Sequence, residues 1–146
     1  MVPFPVDSIV NVFANITLAK EAMAREAGLN LSQYLAVTVL GARPNVSCKE
    51  FKKSLDLPGS SATFILDSLE EKGLIARIRS KDDRRQWLIE LTPKGRNLCH
   101  DATLAETTRI QAVLGSLSEE DRAAFVRICG QLGEGSKSGV AANKSL

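Results

Sequence analysis

The strongest constraint in this sequence is a change of hydrophobic period at Gly73. Before it, in residues 7–72, apolar side chains recur every three or four positions in four segments, a spacing typical of amphipathic helices. After it, in residues 74–91, apolar and polar side chains alternate in two short runs joined by the polar segment 80–85. Two such runs predict an antiparallel β-hairpin. We therefore expect a mainly α-helical chain with one small β-hairpin.

Capping residues set the order of the remaining elements. Ser47, three residues before Glu50, has the spacing of a capping box and predicts a short third helix. Ser32 suits the cap of a second helix, Pro58 the start of a fourth, Thr92 the cap of a fifth and Ser118 the cap of a sixth. A short helix, a turn, a second helix and a hairpin together form a winged helix-turn-helix, whose second helix fits a DNA major groove.

Charge is concentrated in one segment. The 146 residues carry a net charge of +2, 44% of them are apolar and 25% are charged, which is ordinary for a chain with a packed core. Residues 72–96 contain eight basic and three acidic side chains, so this segment carries +5 and the rest of the chain −3. One basic segment on a slightly acidic body is typical of an element that binds a polyanion.

The predicted fourth helix is the candidate recognition helix. It begins with small hydroxyl residues that let a helix end approach DNA closely, and its free N–H groups can meet a phosphate. We expect Ser60, Ser61 and Thr63 to bind phosphates or base edges, with Ser47 at the start of the preceding helix. Phe64 either contacts a thymine methyl or belongs to the core. No Arg or Lys lies between residues 58 and 71, so this helix has no arginine for bidentate base recognition.

The hairpin is the candidate wing. Arg79, Lys81, Arg84 and Arg85 are expected to bind DNA, because arginines on a narrow ribbon fit a minor groove, where the potential is most negative. Asp83, two residues before Arg85, can orient it through a charged hydrogen bond. The alternative is a solvated hairpin with surface ion pairs of little consequence.

These motifs resemble the MarR family of bacterial transcription regulators. The family pattern of Asp-x-Arg, five residues and Leu-Thr-x-x-Gly occurs at Asp83, Arg85, Leu91, Thr92 and Gly95. One departure is Phe64, because family members often have a basic or polar residue there. The resemblance implies a ligand-responsive repressor without enzymatic activity or cofactor, which binds double-stranded DNA at an inverted repeat.

The resemblance also implies a homodimer, in which the first and last helices of two subunits intertwine. The apolar stripes in residues 9–16, 113–117 and 125–132 need a partner to cover them, which independently favours dimerisation. The predicted organisation is an N-terminal dimerisation helix (1–30), a winged helix-turn-helix domain (31–95), C-terminal dimerisation helices (96–133) and a disordered tail (134–146).

Other sites have weaker support in the sequence. Three separated cysteines argue against a disulfide framework or a zinc site and suit a reducing cytoplasm, and residues 1–7 do not resemble a signal peptide. Cys48, in the first turn of the third helix, is either a redox sensor or a small buried residue. Cys99 and Cys129 resemble packing residues, and the lone His100 has no evident catalytic partner. Two alternatives therefore stay open: a winged-helix module that binds protein instead of DNA, and a cysteine-based redox regulator. The resemblance also implies a small-molecule effector, which no residue pattern in the sequence identifies.

Overall fold

The computed structural model describes residues 6–55 and 58–142, with side chains as far as residue 133. The elements are α1 (Val6–Glu26), α2 (Leu31–Ala42), β1 (Val46–Ser47), α3 (Cys48–Ser54), α4 (Gly59–Glu71), β2 (Ile75–Arg79), β3 (Trp87–Leu91), α5 (Pro93–Gly115) and α6 (Glu119–Ala142). They form two compact units, residues 1–104 and 105–146. The predicted mainly helical fold with a small hairpin is confirmed.

The core of the first unit lies where α2, α3 and α4 meet the base of the sheet. Phe51 of α3, Val37 of α2 and Leu69 of α4 are fully buried there, beside Ile89 of β3. The buried side chain of Gln33 also joins α2 to α4, because its Nε2 donates to Ser68 Oγ at 2.7 Å. This packing and the hydrogen bond hold the helices of the helix-turn-helix together.

Local caps begin α2 and α3. The capping box at Ser47 and Glu50 is confirmed, with Ser47 Oγ donating to Glu50 Oε2 at 2.7 Å and Glu50 N–H donating back to Ser47 Oγ at 3.1 Å. Hydrogen bonds from Ser47, its backbone N–H first, lower the pKa of the Glu50 carboxyl below its ordinary value. For α2 the predicted cap, Ser32, is wrong. Asn30 caps that helix in a capping box with Gln33.

The hairpin is part of a three-stranded antiparallel sheet in the order β1-β3-β2. The two-residue strand β1 was not predicted, because two residues are too few to show an alternating pattern. In the register of β2 and β3, Ile75 pairs with Leu91, Arg77 with Ile89 and Arg79 with Trp87. Ile75 and Ile89 are buried. Because side chains alternate between the two faces of a strand, Arg77 and Arg79 lie on the same face as Ile75, which is the face that packs against the core at the base of the sheet.

The base of the hairpin is joined to the start of α5 by a compact set of backbone contacts. Thr92 N–H donates to Leu74 O at 3.0 Å, and Thr92 Oγ1 donates to Gly73 O at 2.6 Å. The same hydroxyl accepts from Gly95 N–H at 3.1 Å, which confirms Thr92 as the helix cap. A Cβ on Gly95 would lie 2.0 Å from Leu74 O. Gly95 therefore lets α5 approach the Leu74 backbone.

The second unit consists of the end of α5 and of α6. Ser118 caps α6 as predicted, since Asp121 N–H donates to Ser118 Oγ at 3.1 Å. A disordered tail is predicted for residues 134–146, but the backbone of α6 is helical to Ala142. Residues 143–146 lie outside the described part. Across residues 6–55 and 58–142, no helix has the length and apolar composition that a membrane span requires.

Replacing Gly95 by alanine should destabilise the protein by about 2–4 kcal/mol, because the added methyl group meets a backbone carbonyl that cannot turn away. In an open helix position the same change would stabilise by up to about 1 kcal/mol. Urea unfolding at a fixed protein concentration measures the difference.

Gly59→Ala is the matched control, since a Cβ there meets no atom within 4 Å. Its free energy of unfolding should stay within about 1 kcal/mol of wild type. Equal stability of the Gly95→Ala and Gly59→Ala variants would show that α5 does not need the close approach.

Candidate nucleic-acid interface

The first turn of α4 is exposed and uncapped. Pro58 occupies the N-cap position, and no side chain among the residues that the structure describes caps the N–H groups that follow it. Ser60 and Ser61 are exposed beside these N–H groups. Thr63 is half-buried and donates its hydroxyl proton to Gly59 O at 2.9 Å. The first turn therefore offers two serine hydroxyls and N–H donors that have no partner within residues 6–55 and 58–142, which is the arrangement that binds anions at helix ends.

Phe64 and Ser47 differ sharply in exposure. Phe64 lies on the outer face of α4 with 70% of its surface accessible, so the core alternative for this residue is wrong in the single chain. Ser47 is only 8% exposed, and its hydroxyl is used in the capping box of α3. Its side chain therefore holds a helix start in place and presents no free hydroxyl.

The tip of the wing is held by its own hydrogen bonds. Ser80 Oγ accepts from the N–H groups of Asp82 and Asp83 at 3.3 and 3.2 Å. Asp83 accepts from the backbone N–H of Arg85 at 3.0 Å and from Gln86 Nε2 at 3.2 Å. The expected bond from Asp83 to the guanidinium of Arg85 is absent from this wing. Asp83 instead shapes the loop that carries Arg85.

Arg79 braces the wing from its side. Its guanidinium lies 4.1 Å from the ring centroid of Trp87, a cation–π contact, and donates to Arg84 O at 2.7 Å. This side chain is therefore committed to the wing itself, which argues against its predicted contact with DNA.

The eight basic side chains of residues 72–96, a segment that the structure describes throughout, fall into two groups. Five have acceptors within the protein: Lys72, Arg77, Arg79, Lys94 and Arg96. The side chains of Lys81, Arg84 and Arg85 are exposed and have no hydrogen bond or ion pair within the described residues. The basic segment of the sequence thus becomes a compact cationic tip.

A second basic cluster was missed in the sequence. Lys49, Lys52 and Lys53 lie on α3, the first helix of the helix-turn-helix, and Lys49 and Lys53 are exposed. In helix-turn-helix proteins this helix crosses the DNA backbone. The sequence signal that could have revealed this cluster is the spacing of three lysines within one short predicted helix.

The cysteines and the cleft beside α5 give weaker evidence of a functional site than α4 and the wing do. Cys48 is half-buried and packs against the core, as does Cys99, whereas Cys129 is exposed. A cleft of about 490 Å³ lies between the end of α2, β3 and α5, with Leu40, Ile89, Arg96 and His100 in its wall. No cluster of metal-ligating side chains occurs among the residues described.

Comparison with known proteins finds a family match and relatives with similar sequences. Residues 29–87 match the model of the MarR family. The HTH-type transcriptional regulator PrsX of Escherichia coli is 30% identical over 100 residues, which cover 67% of this chain and 60% of that protein. The HTH-type transcriptional regulator MhqR of Bacillus subtilis strain 168 is 29% identical over 94 residues, covering 64% and 65%. The matched part thus spans less than two thirds of either relative.

Solved structures share the fold. Streptococcus pneumoniae FabT, in a crystal structure with DNA, superposes with a TM-score of 0.82 at 24% identity, over 90% of this chain and 94% of that one. The crystal structure of MarR gives a TM-score of 0.72 at 18% identity, over 92% and 99%. The winged helix-turn-helix described above and the family match across it show that residues 29–87 form a MarR-family domain, and the solved structures share its fold.

Proposed function

We propose that this protein is a DNA-binding transcription regulator that occupies an inverted-repeat operator as a homodimer and acts as a ligand-responsive repressor. The observation that carries the proposal is the cationic tip, formed by Lys81, Arg84 and Arg85. These are the three basic side chains of residues 72–96 that have no acceptor in the described part of the chain. Free guanidinium groups on a braced loop are suited to phosphates or to a narrow minor groove.

The exposed start of α4 supports contact with the major groove. Ser60 and Ser61 stand beside N–H groups that no described residue pairs, and Phe64 projects from the next turn. Lysines of α3 add cationic groups to the same domain. Because α4 has no basic residue, most of the electrostatic affinity comes from the wing and from α3, while hydroxyl and apolar contacts on α4 discriminate among bases.

Dimerisation follows from the apolar surface of the terminal helices. In the first unit, α1 exposes Val10, Phe13 and Leu18, and in the second unit α6 exposes Phe125 and Leu132. Soluble monomers rarely leave so many large apolar side chains in water. A two-fold dimer sets two recognition helices about 34 Å apart, one turn of DNA.

The cleft beside α5 supports a small-molecule effector. Its apolar wall and the cationic Arg96, with His100 nearby, suit a small acid with a hydrophobic body. The rival function, a winged-helix module that binds only proteins, makes no use of the free arginines at the wing tip.

Arg85→Ala should weaken binding to the promoter DNA of the protein's own gene by about tenfold or more, because it removes an unpaired guanidinium from the wing tip. If Arg85 meets a phosphate, the slope of log K against log salt should also fall by about one. Fluorescence anisotropy at several salt concentrations measures both quantities.

Arg25→Ala is the matched control, since it removes the same charge from the exposed end of α1. Its affinity and salt slope should equal those of wild type. A wild-type affinity that does not fall steeply with salt would favour the protein-binding module, and unchanged affinity of Arg85→Ala would remove Arg85 from the interface.

Phe64 is expected to recognise a thymine methyl group. Replacing a contacted thymine of the operator by deoxyuridine, which lacks only that methyl, should weaken wild-type binding by about three- to tenfold. The Phe64→Ala variant should bind both DNAs equally, because it has no apolar group for the methyl. A scan of single deoxyuridine substitutions with both proteins tests this.

Phe64 would have no base-recognition role if no single substitution separated wild type from the alanine variant. Salt-dependent binding to the promoter would still support the general function, so the two conclusions can fail separately.

Phe13→Glu should convert the homodimer to a monomer and weaken operator binding, since it places a charge on the apolar face of α1. Size-exclusion chromatography with light scattering measures the mass. Arg85→Ala should remain dimeric in the same experiment. A wild-type protein that is monomeric at micromolar concentration would overturn the proposed dimer.

A further inference from the structure

The outer face of α4 carries acids that disfavour an approach to DNA. Asp67 and Glu70 are exposed and lie one turn apart, and Asp67 is three residues from Phe64 on the same side of the helix. A carboxylate beside a row of phosphates is repelled by them. A helix that is to enter a DNA groove therefore needs these charges to be neutralised or turned away.

Arg77 of β2 contacts both acids. Its Nη2 donates to Asp67 Oδ1 at 2.5 Å, and its Nη1 donates to Glu70 Oε2 at 2.9 Å. Its backbone N–H also donates to Glu70 Oε1 at 3.3 Å. One residue at the base of the wing is thus bound to α4 by three hydrogen bonds.

The environment of Arg77 favours an internal role. Its side chain is 25% exposed, against 51% for Asp67 and 40% for Glu70. The hydrogen bond to Asp67 raises the pKa of the guanidinium above its ordinary value, which favours its charged form. Both of its terminal nitrogens already have partners within the domain.

We propose that Arg77 is a positioning residue for DNA binding, which ties the two carboxylates of α4 to the wing. The guanidinium fork of Arg77, which contacts both carboxylates, neutralises the acids beside Phe64 and sets the position of the wing relative to the recognition helix. Arg77 does not itself contact DNA. The inference rests on the proposed DNA-binding function and adds to it a residue that acts through Asp67, Glu70 and the wing.

Lysine cannot replace this arginine fully. A planar guanidinium offers two nitrogens in a fixed fork, which reaches both carboxylates at once, whereas an ammonium group is a single point charge. Arg77→Lys should keep part of the neutralisation and lose part of the geometry. Its operator affinity should lie between that of wild type and that of Arg77→Met.

The test is a mutant cycle measured by operator binding. Arg77→Met should weaken binding by about tenfold in the wild-type background, since it leaves two uncompensated carboxylates on α4. In the background Asp67→Asn/Glu70→Gln the same substitution should cost about twofold or less. Arg25→Met, which removes an arginine from the end of α1, should have no effect in either background.

A direct contact between Arg77 and DNA predicts a different pattern. The loss would be the same in both backgrounds, and the salt slope would fall by about one in each. That outcome would overturn the inference. If Arg77→Met does not fold, as judged by its circular dichroism and thermal melt, Arg77→Lys completes the same cycle, and equal losses in both backgrounds again contradict the proposal.

Hydrogen exchange of the free protein gives a readout that does not depend on DNA. Amides of residues 74–91 should exchange faster in Arg77→Met than in wild type, because the wing loses its tie to α4. Unchanged exchange would contradict the positioning role. A wild type that fails to bind promoter DNA would reject the proposed function, whereas a wild type that binds, with equal losses in the two backgrounds, rejects only the role of Arg77.

Discussion

The contact between the start of α5 and the backbone at Gly73 and Leu74 is the constraint on which the geometry of the DNA-binding domain depends. Thr92 donates to the carbonyl oxygens of both residues, and Gly95 leaves room for the Leu74 carbonyl. Leu74 N–H in turn donates to Leu69 O, at the end of α4. The end of the recognition helix, the base of the wing and the start of α5 are therefore joined at one point. A shift at this point would move the wing relative to α4.

The same organisation explains why a basic segment is not equivalent to a basic surface. Lys72 and Lys94 donate to the carbonyl oxygens of Gly28 and Lys72, and Arg96 donates to Leu91 O. These contacts place positive charge on backbone carbonyls near helix and strand ends, where it stabilises local structure. Within residues 72–96, the basic side chains that have no acceptor among the described residues are confined to the wing tip. A net charge of +5 over the segment overstates its cationic surface.

Rigidity of the wing comes from short polar contacts, because a two-stranded ribbon has little core of its own. Ser80 and Asp83 hold the turn, and Arg79 packs on Trp87 across the strands. The fork of Arg77 connects this ribbon to α4. An element stiffened in this way loses less conformational entropy when it binds, which favours affinity for an extended partner such as DNA.

The sequence by itself determined the order of the helices and the hairpin, because hydrophobic period and capping residues act over a few residues. It identified the capping box at Ser47, the hairpin and the role of Thr92. It did not determine which arginines are free, since Arg77 and Arg85 are equivalent in a one-dimensional charge count. Their difference depends on contacts between residues distant in sequence, such as Arg77 with Asp67. Ser47 and Phe64 show the same limit. Only the packing of α3 and α4 against the core decided that the serine is buried and the phenylalanine exposed, because burial is a property of the assembled surface.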